Sequence, residues 1–229
     1  MRLVLLFCLL IIALGAKAQT HFCGDEAYKI QLLKAYPAFK QAEEQGNKLI
    51  YDYLTQNHEA SVNAERTTLS IPVVYHILHQ NGPENVSDSV IIQSLNDMNL
   101  RFQNAAPFNN IDGGVANIEF CLASVDPWGN PTTGITRDTT IYSYFSSPPT
   151  QIEDFNLKNV NRWCPATYLN IWILNYSGSI AYATYANSPQ EMDGIVAPYL
   201  SLPFYVMSHE AGHYLNLAHT FTYLFDCTN

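Results

Sequence analysis

Residues 209–219 read His209-Glu210-Ala211-Gly212-His213-Tyr214-Leu215-Asn216-Leu217-Ala218-His219, and the rest of the chain has to fold in a way this stretch permits. On a helix, four residues advance slightly more than one turn, so His209 and His213 project from one face and can converge on one divalent ion. Ten further residues of helix would carry His219 about 15 Å along the axis, too far to share that ion. The chain must therefore leave the helix and turn back. Asn216 is placed for that exit, because asparagine readily enters the left-handed backbone region after glycine. Three imidazoles suit zinc, which keeps a position open for water. Glu210, beside the first ligand, can take a proton from an attacking water and pass it to a leaving amine. The spacing thus predicts His209, His213 and His219 as metal ligands, Glu210 as general base, Zn2+ as cofactor and a helix over 203–217.

Working outward, the segments before this helix read as a mixed α/β sequence. Ser70–His79 contains Ile71, Val73, Val74, Tyr75, Ile77 and Leu78, a strand-forming run closed by Asn81-Gly82-Pro83. Ser87 or Asp88 can cap a helix that carries Ile91, Leu95, Met98 and Phe102 on one face. Residues 114–125 form a further strand, ended by the turn-rich Asp126-Pro127-Trp128-Gly129-Asn130-Pro131. Periodicity is weak over 132–163, where Ser146, Ser147, Pro148 and Pro149 mark a loop. Leu169–Leu174 is a compact apolar strand, 180–186 a second and 193–196 a short third. Strand, helix, several strands and a final helix suit an α/β sandwich with a mixed sheet, and connections this irregular exclude a barrel of repeated βα units. His76 and His79 lie in a strand-like run where an offset of three puts them on opposite faces, so they read as structural or surface residues.

The N-terminal part reads differently. Arg2, the apolar run Leu3–Leu14 and Ala16-Lys17-Ala18 have the layout of a cleaved export signal over residues 1–18, too short in its apolar part to span a bilayer. The expectation is a secreted protein with no transmembrane segment. Without Arg2 and Lys17, nine Lys plus Arg stand against twenty Asp plus Glu, a net charge of −11 with histidine neutral. No cationic stripe is present, which argues against nucleic-acid binding. Residues 25–57 look helical and mostly polar, broken or bent by Pro37, and 58–69 read as a linker. Residues 19–69 are therefore expected to form an N-terminal appendage or pro-segment ahead of a main domain over 70–229. Cys23, Cys121, Cys164 and Cys227 permit disulfides in an exported chain, in any of three complete pairings. Asn85-Val-Ser and Asn175-Tyr-Ser match the glycosylation acceptor pattern.

The stretch Met207–Phe221, with Thr220-Phe221 following the third histidine, resembles the pappalysin family of metzincin metallopeptidases, especially its bacterial secreted members. So do Ile71-Pro72-Val73-Val74-Tyr75-His76, Ile118–Ala123, Gly134-Ile135-Thr136-Arg137 and Tyr168-Leu169-Asn170-Ile171-Trp172. The resemblance covers roughly residues 70–229. It implies a metzincin-like N-terminal subdomain: a twisted mixed sheet with a backing helix and an active-site helix, zinc on His209, His213 and His219, and Glu210 as base and acid. It also implies a protein or peptide substrate held along an antiparallel edge strand, for which 180–186 is the best candidate. The family's glycine is Asn216 here. The family continues into a C-terminal subdomain with a methionine turn, and no methionine follows Met207, so the expectation is a C-terminally incomplete catalytic domain. Family zymogens use a pro-segment cysteine as a temporary zinc ligand, which makes Cys23 a candidate latch alongside a disulfide role. The alternative to a secreted endopeptidase is a zinc-binding relative without turnover.

Overall fold

The structure is a computed structural model that describes residues 25–56, 67–146, 149–177 and 181–219. Its centre is β1 (Leu69–His79), a strand buried on both faces from Val73 onward. Parallel strands covered on both sides read as continuous apolar runs rather than alternating ones, which is why Val73–Leu78 and Leu169–Leu174 look alike in sequence. One side of β1 pairs in tandem with β2 (Ile118–Leu122) over Leu69–Val73 and with β3 (Ile135–Thr139) over Tyr75–His79. On the other side β5 (Leu169–Tyr176) pairs with β1 in parallel. Short β4 (Tyr144–Phe145) also joins β5. Then follow β6 (Tyr182–Ala183) and β7 (Ile195–Pro198): β7 is parallel to β5, and β6, antiparallel to β7, forms the sheet edge. Gly194 at the start of β7 has φ +124°, and a Cβ there would meet the Asn170 carbonyl and the Trp172 ring at 2.6 Å. Only glycine fits that approach.

Two layers cover the sheet. On one face, Val73, Tyr75, Ile77, Ile171, Ile173 and Ile195 pack against Ile91, Leu95 and Met98 of α3 (Asp88–Phe102) and against Val206, Met207 and Ala211 of α5 (Val206–Tyr214). The opposite face presents Leu78, Trp172, Leu174 and Val196 to Leu157 of α4 (Gln151–Lys158) and to Tyr28, Leu32 and Phe39 of the N-terminal helices. Those helices are α1 (Asp25–Ala35) and α2 (Pro37–Gln56). Pro37 opens α2, where its missing N–H is no loss.

The mixed α/β architecture is as the sequence implies, with several elements resized. Residues 114–125 yield only the five-residue β2, and 180–186 only the two residues of β6. The last helix is nine residues long, within the expected 203–217. The low periodicity of 132–163 conceals β3, β4 and α4. Helix α4 begins with a capping box in which Thr150 and Glu153 satisfy each other's backbone N–H groups. Its Asp154 and Lys158 face inward and are buried, which erases the apolar stripe that would have marked it. Cys121 and Cys164 are free thiols. The export signal, most of the 58–69 linker, Cys23 and Cys227 lie outside the described residues.

His76 and His79 are both buried in β1, and neither belongs to the metal-ligand group. His79 Nδ1 accepts from the Asn81 N–H at 3.1 Å. His76 lies within hydrogen-bond distance of Thr136 Oγ1 through Nδ1 and of Asn170 Oδ1 through Nε2, each at 2.9 Å, and its ring stacks on Trp172. Asn170 in turn accepts from the Trp163 N–H and donates to the Trp163 carbonyl. This network ties β3, β1, β5 and the loop before β5 together. Burial lowers the His76 pKa from its ordinary value to about 4. Between about pH 6.5 and 4 the unfolded chain binds the proton that the fold excludes, so stability held above pH 6.5 is lost as pH falls, by roughly 3 kcal/mol. Urea unfolding followed across that window will show the decline in the parent chain and a shallower one in a His76→Gln variant. Equal slopes would remove His76 as its source.

Candidate metal centre

Helix α5 places the first two ligands. His209 and His213 sit one turn apart, with Nε2 atoms 3.0 Å from each other. Met207, two residues before His209, and Ala211, midway between the two ligands, are buried in the core and fix which face of α5 turns inward.

The helix then ends in a Schellman turn. The Leu217 N–H reaches back to the Gly212 carbonyl at 2.9 Å and the Asn216 N–H to the His213 carbonyl at 2.8 Å. Asn216 holds φ +71°, the left-handed geometry its position requires. Reversal there brings His219 Nε2 to 3.1 Å from Nε2 of both His209 and His213. The three predicted ligands therefore meet at one point, His213 buried and the other two half-buried.

The donor set fits zinc. Three nitrogens bound at 2.0–2.1 Å with tetrahedral angles would stand about 3.3 Å apart, slightly more than the observed 3.0–3.1 Å. The His213 tautomer is fixed by its surroundings: Nδ1 donates to the Leu217 carbonyl at 2.6 Å, leaving the Nε2 lone pair for a metal. The same turn that returns His219 thus also orients His213. Glu210, the predicted base, is fully buried one residue after His209.

Three further contacts were not foreseen. The Tyr185 hydroxyl lies 3.2 Å from His213 Nδ1, and its ring is 5.4 Å from the imidazole. Lys29 of α1 places its ammonium 5.0 Å from the centre of the Tyr185 ring. Asn47 of α2 accepts a hydrogen bond from the Asn216 amide at 2.9 Å. Only the tertiary fold joins these residues, and no spacing in the sequence signals them. Near the centre, burial pushes the Asp193 carboxyl up to about 6 against the pull of Lys158.

No protein-family model and no curated protein matches the chain. Solved structures do. Mirolysin in complex with a compound is 33% identical with a TM-score of 0.57, over 67% of this chain and 65% of that one. Mature mirolysin of Tannerella forsythia in complex with a cleaved peptide is 33% identical with a TM-score of 0.59, over the same shares. A glutamate-to-alanine variant of Tannerella forsythia promirolysin is 30% identical with a TM-score of 0.63, over 87% of this chain and 70% of that one. The chain thus spans just under two thirds of the first two of these structures, at 65% of each.

The role of Asn216 is open to direct measurement. A left-handed residue with a side chain other than Asn costs about 1–2 kcal/mol, and 1.4 kcal/mol is tenfold in affinity. Titration against a chromogenic chelator should find zinc affinity within about threefold of the parent for Asn216→Gly and weakened about tenfold or more for Asn216→Val. Equal affinities in the two variants would show that the reversal is not what delivers His219.

Proposed function

Because the chain belongs to the metzincin-type zinc metallopeptidases related to mirolysin, we propose that it is a secreted, pappalysin-like endopeptidase that hydrolyses peptide bonds in proteins. The observation that carries this reading is the meeting of His209, His213 and His219 at 3.0–3.1 Å beside the buried Glu210. When bound by these imidazoles, zinc supplies Lewis-acid polarisation of the scissile carbonyl and acidifies water. Glu210 takes the proton of the attacking water and delivers it to the departing amine. The Leu217 carbonyl and Tyr185 keep the His213 ring in place while this happens. Among the described residues β6 ends the sheet next to β7, and in this reading an extended substrate aligns along it.

Residues 19–69 are read as a pro-segment and 70–229 as the catalytic domain. Support comes from the matches to solved structures: the pro-form aligns with 87% of this chain, whereas the mature form aligns with 67%. The positions of α1 and α2 agree with that reading, since Lys29 reaches Tyr185 and Asn47 reaches Asn216. Cys23 remains the candidate latch, a thiolate being suited to zinc. Export rests on the signal-like residues 1–18. Among the described residues, no helix is long and apolar enough to cross a membrane.

The test is cleavage of a broad peptide mixture by zinc-loaded residues 19–229 beside a Glu210→Ala variant. The parent should cleave and the variant should be slower by at least about 100-fold, the usual contribution of a positioned base. If both bind one zinc and neither cleaves, the zinc-binding relative without turnover is the correct reading.

A further inference from the structure

The N-terminal helices meet the sheet through a polar contact that peptide hydrolysis does not use. Asp154 and Lys158 stand one turn apart on α4, both fully buried, with Nζ 3.2 Å from Oδ2. Asp154 Oδ1 accepts from the Tyr182 hydroxyl at 2.6 Å, and Oδ2 accepts from the Tyr28 hydroxyl at 2.5 Å. Lys158 donates to the Met192 carbonyl at 2.6 Å and to the Tyr28 oxygen at 3.0 Å. With Asp154, these partners use all three ammonium protons. The Tyr28 hydroxyl both donates and accepts. Its ring lies 4.5 Å from that of Tyr182, with the Lys158 ammonium 4.9 Å from its centre. A phenyl ring would fill the same space and leave a carboxylate lone pair and an ammonium proton unmatched in a dry site, which is costly.

We propose that Asp154, Lys158, Tyr182 and the Met192 carbonyl form a recognition site for a phenol, filled in this chain by Tyr28 and open to a tyrosine side chain of a bound peptide once residues 25–56 are released. The second half of this statement rests on the pro-segment reading above. Edge strand β6 gives the site its connection to substrate. Tyr182 packs on the face that carries the slot, and Ala183 packs on the face that carries α5. A peptide added along β6 alternates its side chains between the same two faces. Its residues on the slot side can therefore be read for a tyrosine while its backbone is held along β6.

The full chain carrying Tyr28→Ala, which empties the slot and keeps both helices, can be titrated with 4-methylphenol and in parallel with toluene, following the thermal midpoint. Ligand binding to the folded state raises that midpoint with concentration. The expected result is a rise with 4-methylphenol at about tenfold lower concentration than with toluene, no comparable response in the parent, and loss of the preference when Asp154→Asn is added. No response, or equal responses to the two ligands, overturns the proposal. Should Tyr28→Ala not fold, Tyr28→Phe carries the test. It keeps the ring and should shift the unfolding equilibrium by about tenfold or more, whereas an unchanged equilibrium overturns phenol recognition. None of these readouts involves zinc or cleavage. A failure here leaves the peptidase reading standing, and a failure of the Glu210 comparison leaves the slot standing.

Discussion

A helix that carries two imidazoles one turn apart cannot bring a third, ten residues from the first, to the same point, so the metal centre depends on one backbone reversal. That reversal is the Schellman turn at Asn216. Its two hydrogen bonds satisfy carbonyls that a helix end would otherwise leave without partners. The same turn supplies the Leu217 carbonyl that selects the tautomer of His213. Helix ending, ligand delivery and ligand orientation are thus one local event. The sheet contributes the buried face on which Met207 and Ala211 rest, and so fixes where the imidazoles point.

The two faces of the sheet divide the chemistry between them. The face under α3 and α5 is almost purely apolar, and it is the rigid support for the metal ligands. Polar burial is concentrated on the other face, in the His76–Asn170–Thr136 network and in the Asp154–Lys158 pair with its two tyrosines. Buried polar groups are tolerated only when each finds its partners. Here one of those partners, Tyr28, comes from the N-terminal helices rather than from the main domain.

How much of this was legible in the sequence follows from how local each feature is. The three histidines, the glutamate proposed as base and the exit at Asn216 are set by offsets within a single stretch, and the structure brings the three histidines together. Strands β1 and β5 announced themselves because burial on both faces leaves an unbroken apolar run. Helix α4 escaped because its buried charges break the stripe, although Thr150 and Glu153 already carried the capping pattern of a helix start. Tyr185, Lys29 and Asn47 were invisible for a different reason: each meets its partner across the tertiary fold, between 28 and 169 residues away in the chain, and no periodicity encodes such a meeting.

The compactness of 209–219 has an evolutionary side. A centre written into consecutive residues is insulated from insertions and deletions elsewhere, because no loop length enters the distances between its donors. Loops such as 103–117 or 186–193 can be lengthened or cut without moving one imidazole relative to another. The Asp154–Lys158–Tyr28–Tyr182 cluster has the opposite character. It is assembled from three distant segments, so drift in any one of them changes what it accepts. A lineage built on this plan can therefore alter what it recognises far faster than it alters the metal it holds.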